Sequence, residues 1–338
     1  MHIKNISSSF FRDVVSMYGV AAANLLLPIL FIPYASSKVG IENFGVFAVL
    51  AAFFQYGIMF VEFGTTSPLV RLLASNANIS IFWDVVLVRF CLFIVALVLI
   101  VFTSVFFLGY TDKFTFIIGS ASLLGTVFNP IAIYQAKGRL PYFSFITFVS
   151  RVLVTLLAFV LLQYRKDLWI VFAFQFLPVF VVSLFSIFFI FKKEKIEFRL
   201  GSDFFKNKEL SRDSISIFMG TVFSSGYTVA IPFIINSFFG SYAAGIFGII
   251  DRVAQPIRQI IMPVVNIIYP KVCSMLLVDS HKAIYFSIKF SALLGALSFF
   301  FLIMNLIFVD SIYSYILKGI VNKQYIYPIL FNVFFIYV

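Results

Sequence analysis

Nine times along the chain a nearly unbroken apolar run of about 20 residues or more gives way to a short polar stretch, and a tenth, shorter run follows. A helix of that length crosses the roughly 30 Å hydrocarbon core of a bilayer. Inside hydrocarbon every backbone N–H and C=O must find its partner within the protein, which leaves helices and closed barrels. A barrel requires short segments of alternating polarity, and these runs do not alternate. The sequence therefore specifies an all-α fold, a polytopic transmembrane helical bundle. Composition agrees: charged residues make up 12% of the chain, about half the share in a soluble domain.

The expected spans are Val14–Ser37, Phe44–Ser67, Phe82–Gly109, Phe114–Ala136, Pro141–Gln163, Leu168–Phe191, Ser214–Phe239, Ala243–Pro270 and Ala283–Phe308. A tenth, Tyr325–Val338, has the same character over fourteen residues. Short loops are expected at Lys38–Asn43 and Gly240–Tyr242. The basic residues before the first span precede a run too long for a signal peptide, so it reads as a retained helix. Between the sixth and seventh spans lies the only long polar segment, Lys192 to Asp213, with seven basic and five acidic residues.

The net charge of +11 does not point to nucleic acid, because the basic residues sit in loops between spans. With the N-terminus inside, the inner loops hold Lys4, Arg12, Arg71, Lys137, Arg139, the seven of the polar segment, Lys271 and Lys282, fourteen in all. The outer loops hold six: Lys38, Lys113, Arg165, Lys166, Lys318 and Lys323. Positive loops stay in the cytoplasm, so the N-terminus and the polar segment are expected there. Cys91 and Cys273 lie in or beside spans and suggest no disulfide framework. With His2 and His281 both in loops, neither a metal-ligand cluster nor a Ser-His-Asp or Cys-His constellation is indicated. No Gly-rich phosphate loop of the G-x-x-x-x-G-K-[ST] kind is present. The chain is not expected to be an enzyme or to carry a cofactor.

Sliding residues 12–55 by 200 positions brings Arg12, Asp13 and Ser16 onto Arg212, Asp213 and Ser216. It also brings Ser37, Gly40, Gly45, Phe47 and Gln55 onto Ser237, Gly240, Gly245, Phe247 and Gln255. These identities cluster at a helix entry and at the turn between two spans. Internal repeats are the common architecture of secondary transporters. Six spans separate the copies, so they are parallel repeats. The expected organisation is a six-helix bundle over 1–191, a cytoplasmic linker over 192–213 and a second bundle over 214–338. Two repeats of six call for twelve spans and about ten are present, so the second bundle is expected to be incomplete.

An Arg at the centre of a span costs roughly 2.5–3.5 kcal/mol on insertion scales and persists where it faces a partner or a water-filled cavity. Arg151 lies mid-span in line with Ser144, Thr147 and Thr155. Arg258 lies mid-span in line with Asp251, Gln255 and Met262, with Arg252 one residue round from Asp251. The fourth span carries Gly119, Ser122, Thr126 and Asn129 on one face, and the seventh carries Ser216, Gly220, Ser224 and Tyr227. These stripes serve either a cavity or close helix packing. Arg89 and Lys289, near span ends, are expected to snorkel to the interface. Glu62 is expected either to pair with Arg71 or to couple an ion. Asp251 and Arg252 either neutralise a neighbour or serve a substrate. The expected cavity set is Arg151, Arg258, Arg252, Asp251, Gln255, Asn129 and Thr147, with Glu62 and Asp251 as candidates for proton or sodium coupling. Arginines with few acids favour an anionic ligand, and the planar guanidinium suits a phosphate. A cation exporter would call for more buried acids, and a membrane polysaccharide polymerase or ligase for a large outer loop.

Several local patterns resemble the Wzx-type oligosaccharide (O-antigen) flippases of the MOP superfamily. They are Val61-Glu62-Phe63-Gly64 with Ser67 and Arg71; Asn129-Pro130 with Tyr134-Gln135-Ala136 and Gly138; Gly240, Tyr242-Ala243-Ala244-Gly245 and Asp251-Arg252; and Tyr269-Pro270-Lys271. The resemblance covers most of the chain in order and spacing. It implies a MATE-like fold of about twelve spans in the bacterial cytoplasmic (inner) membrane. It implies transport of undecaprenyl-diphosphate-linked oligosaccharide units for surface polysaccharide, alongside other polysaccharide-assembly membrane proteins and membrane lipid, with no nucleic acid.

Overall fold

A computed structural model describes residues 26–75, 78–110, 112–194, 204, 207–276, 281, 284–290, 292 and 295–296. The start of the first expected span, the ninth span beyond residue 296, the tenth span, and 195–203 of the linker lie outside the described residues. The helices are α1 (Leu26–Val39), then α2 (Ile41–Glu62), α3 (Thr66–Ala74), α4 (Ile81–Leu108), α5 (Lys113–Val127), α6 (Ile131–Ala136), α7 (Leu140–Tyr164), α8 (Leu168–Glu194) and α9 (Lys208–Leu276). Among the described residues there is no strand. Six stretches are long and apolar enough to cross a membrane: α2 with α3, α4, α5 with α6, α7, α8, and the first part of α9. The chain is a polytopic helical membrane protein.

The two expected loops shrink to single glycines. Gly40 separates α1 from α2 with φ 91° and ψ 154°. Gly240 breaks α9 with φ 81° and ψ 173°. A Cβ forbids such backbone, so only glycine turns the chain here without strain. Residues Gly40 and Gly240 are 200 apart, as the repeat requires. The next repeated glycines, Gly45 and Gly245, meet face to face. A Cβ on Gly45 would run into the Ser241 carbonyl oxygen and lie 2.9 Å from Gly245 N. A Cβ on Gly245 would run into the Ile41 carbonyl oxygen and lie 3.1 Å from Gly45 N. Positions 41 and 241 carry the same 200-residue offset, so the contact is reciprocal, as in a two-fold interface.

Two expected spans are broken rather than continuous. The second ends as α2 at Glu62, turns through Phe63 (φ 50°) and Gly64 (φ 62°), and resumes as α3. The fourth stops at Val127 and resumes at Ile131. Pro130 has no N–H to continue the ladder, and Asn129 Oδ1 accepts from Ile131 N at 3.1 Å.

Two compact units organise the chain. The first takes Lys38–Ile246 and the second takes Pro28–Ser37 with the residues from Phe247 on. In the second, Phe31, Ile32, Ala35, Phe247, Ile249 and Ile250 are buried. In the first, α2, α5 and α8 pack around a phenylalanine cluster. Phe47, Phe54, Phe172 and Phe176 are buried; the Phe54 and Phe172 rings stand 5.2 Å apart, edge to face, and Phe172 stacks on Phe176 at 4.6 Å. Lipid is as apolar as phenylalanine, so burial brings little hydrophobic gain. The stabilisation comes from dispersion and from ring geometry, about 0.5–1.5 kcal/mol per pair. Gly119 leaves the room that the Phe54 ring occupies, and Gly125 packs on the backbone of Val179 and Phe180, beside Pro178 inside α8. Gly119 of the fourth-span stripe therefore serves packing. Between α4 and α5, Asp112 caps α5 by accepting from Phe114 N and Thr115 N, each at 3.3 Å. Burial in that turn pushes the Tyr110 phenol up to about 12.

Candidate functional site

Arg151 sits near the middle of α7 on the face that carries Ser144, Thr147 and Thr155. The two threonine hydroxyls on this face are spent on their own helix: Thr147 Oγ1 donates to Phe143 O at 2.9 Å and Thr155 Oγ1 to Arg151 O at 2.6 Å. Such back-bonding satisfies a threonine in an apolar helix. The guanidinium is different. Its Nε is buried and makes no hydrogen bond among the described residues. A buried donor left unmet costs about 1–3 kcal/mol, more when charged.

Thr147 Oγ1 and Asn129 Oδ1 are bonded within the chain, Asn129 Oδ1 to the backbone at the start of α6. Asp251 and Arg252 lie half-buried in the second unit, where Arg252 Nη1 donates to Gly248 O at 3.4 Å. The side chains of Gln255 and Arg258 lie outside the described residues, although the backbone there continues α9. The seventh-span stripe differs from the fourth. Ser216, Gly220, Ser224 and Tyr227 are all exposed, and a Cβ on Gly220 would meet nothing within 4 Å. Among the described residues of its unit this small polar face of α9 stays exposed.

Two expectations are corrected. Arg89 does not snorkel; it is 1% exposed. Its Nε donates to Thr65 Oγ1 at 2.9 Å, Nη2 to Thr66 Oγ1 at 3.1 Å and Nη1 to Thr126 O at 3.3 Å. Thr65 in turn donates to Glu62 O at 2.7 Å. One guanidinium thus ties the break between α2 and α3 to the end of α5. Sequence depth alone made Arg89 a snorkelling residue, because the direction in which it leaves α4 is a tertiary fact. Glu62, for its part, acts electrostatically on Arg89, while Arg71 pairs with Asp213 and, at 3.1 Å, with Glu209. That surface cluster holds long, solvated side chains, so Arg71→Ala is expected to leave the melting temperature in detergent unchanged. A clear drop would show that the cluster clamps α3 to α9.

A family model described as polysaccharide biosynthesis protein matches residues 10–276. A protein of Escherichia coli (strain K12) named "Putative O-antigen transporter" is 25% identical over 280 residues, 81% of this chain and 67% of that protein. A protein of Shigella dysenteriae with the same name is 21% identical over 271 residues, 78% of this chain and 67% of that protein. No solved structure matches the chain.

Proposed function

The chain belongs to the polysaccharide biosynthesis protein family, and on that premise we propose that it is a flippase for a lipid-linked oligosaccharide. The substrate is an undecaprenyl-diphosphate-linked repeat unit, carried across the bacterial inner membrane for O-antigen or other surface polysaccharide. The observation that carries the reading is Arg151, a mid-span cation whose buried Nε has no partner among the described residues. A diphosphate offers the paired acceptor oxygens that a guanidinium fork matches. The exposed polar face of α9 suits a passing sugar better than a lipid chain. Relatives named as O-antigen transporters support transport over catalysis.

In this reading the cationic groups that meet the substrate are Arg151, Arg252 and Arg258, and the polar ones are Asp251, Gln255, Asn129 and Thr147. Alternating access comes from rocking of residues 1–191 against 214–338, with 192–213 as a cytoplasmic tether. Glu62 or Asp251 carries any proton or sodium coupling. The excess of basic residues in the loops assigned to the cytoplasm supports an inside N-terminus.

The test replaces Arg151 by alanine and by lysine in a strain lacking the chromosomal copy, with membrane insertion checked by immunoblot. Losing one charge-assisted bond, about 1.5–3 kcal/mol, is expected to cut surface polysaccharide about 10- to 150-fold in Arg151→Ala. Arg151→Lys is expected to keep part of the activity, since it retains charge but not the fork. Normal polysaccharide in the inserted alanine variant would overturn the reading.

A further inference from the structure

Between α2, α4 and α9, within the first unit, lies a cavity of about 440 Å³. Phe53 and Phe60 wall it on α2, Leu99 and Ile100 on α4, and Phe218 and Met219 on α9. The helices are held apart and together by fixed contacts. Phe53 meets Phe233 at 5.6 Å, Phe60 meets Phe218 at 6.0 Å, and Tyr56 donates its hydroxyl to Gly226 O. The cavity is open in this conformation, and its volume falls in the usual range of small-molecule sites, about 300–1,000 Å³.

Its wall is almost wholly apolar. The two hydroxyls that reach it are turned away. Tyr56 is bonded to Gly226, and Thr103 Oγ1 donates to its own helix, to Leu99 O at 2.8 Å and Ile100 O at 3.1 Å. An apolar cavity of this kind stays dry and holds neither sugar nor diphosphate. Its mouth is rimmed by exposed apolar side chains: Leu99 is 54% and Met219 48% exposed, alongside Val98 and Phe102 of α4. A rim of this kind at mid-span suits hydrocarbon beyond the mouth better than water.

We infer that this cavity between α2, α4 and α9 holds a stretch of the isoprenoid chain of the lipid-linked substrate. The inference rests on the flippase reading above and adds a second, apolar subsite to it. A lipid chain gains no hydrophobic free energy by leaving lipid for an apolar pocket. Selectivity must come from contact and from entropy. An isoprenoid chain, with methyl branches and rigid double bonds, loses less freedom on confinement than a saturated acyl chain. Its branches fill the gaps between flat aromatic faces, and Met59 and Met219 adjust to what remains. The cavity has room for part of such a chain, with the rest left in the bilayer.

The test uses the full chain in lipid nanodiscs with two photoreactive probes, a benzophenone-bearing polyprenyl diphosphate and a diazirine-bearing phosphatidylglycerol. Cross-linked peptides are mapped. The polyprenyl probe is expected to label α2, α4 and α9 around the cavity saturably, and the acyl probe to label them without saturation. Val222→Trp, which fills the cavity from α9, is expected to cut that labelling about tenfold. Leu99→Trp fills it from α4 and guards against misfolding of one variant; both are checked by size-exclusion chromatography. Saturable polyprenyl labelling elsewhere, unchanged in both variants, would overturn the inference and keep the flippase reading. Saturable labelling of the cavity by the acyl probe alone would also overturn it. No saturable polyprenyl labelling anywhere would overturn the flippase reading, and the inference with it.

Discussion

Gly45→Leu is expected to abolish recovery of monodisperse protein from the membrane. The side chain would begin with a Cβ placed on the Ser241 carbonyl oxygen and 2.9 Å from Gly245 N. Backbone atoms cannot rotate aside as a side chain does. The segments around residues 41–45 and 241–245 must therefore separate, losing the close approach that drives helix association in lipid. Overpacking typically costs about 1–3 kcal/mol, and a backbone-to-backbone clash belongs at the upper end. Gly245→Leu is expected to behave the same way, since its Cβ would strike the Ile41 carbonyl oxygen. Gly220→Leu is the control, with nothing within 4 Å of the added carbon. Equal elution profiles and melting temperatures for all three variants would refute the reciprocal contact.

Arg89→Ala is the second large effect, expected to destabilise the protein by about 3–5 kcal/mol. The guanidinium is buried with three hydrogen bonds to Thr65, Thr66 and Thr126. Removing it leaves those acceptors unmet at two helix breaks and leaves Glu62 without its cation. Arg89→Lys is expected to recover only part, because one ammonium cannot reach acceptors on three sides. Glu62→Gln in the Arg89→Ala background is expected to restore some stability, a coupling of about 0.5–3 kcal/mol. Melting of the purified variants by tryptophan fluorescence reads all of these. An Arg89→Ala protein as stable as the parent would show that the guanidinium does not hold the breaks together.

Span positions were legible because the bilayer sets both length and composition. The expected Phe82–Gly109 became Ile81–Leu108, and Pro141–Gln163 became Leu140–Tyr164. The two turns 200 residues apart were legible at their glycines, since Gly40 and Gly240 answer a steric demand that no other residue meets. The breaks within two spans were written in Phe63-Gly64 and Asn129-Pro130. Hydropathy averaged over a window passes over them, because two or three turn residues do not change the mean. Depth along a helix can be read from sequence, but the side from which a residue leaves it cannot. That is why Arg151 could be placed at mid-span, whereas the partners of Arg89, 24 and 37 residues away, could not. For the same reason Glu62 was set beside Arg71, its near neighbour in sequence, when Arg71 reaches across to Asp213 and Glu209.

The Arg89 knot also sets an order of events during synthesis. As α4 reaches the insertion machinery, Thr65 and Thr66 have gone ahead of it, but Thr126, 37 residues downstream, is still inside the ribosome. The nascent helix must therefore enter the bilayer with its cation only partly satisfied. It can do so because α4 is the most apolar of the six spans among the described residues, enough to offset an arginine near its end, where the cost is below the roughly 2.5–3.5 kcal/mol of a helix centre. Entry and capture are then separate steps: α4 goes in unaided and is fixed when α5 arrives. Chains truncated after residue 110 should show α4 fully inserted by glycosylation mapping yet be cleared faster than chains truncated after residue 139. Equal lifetimes would mean that α4 is secured before α5 exists.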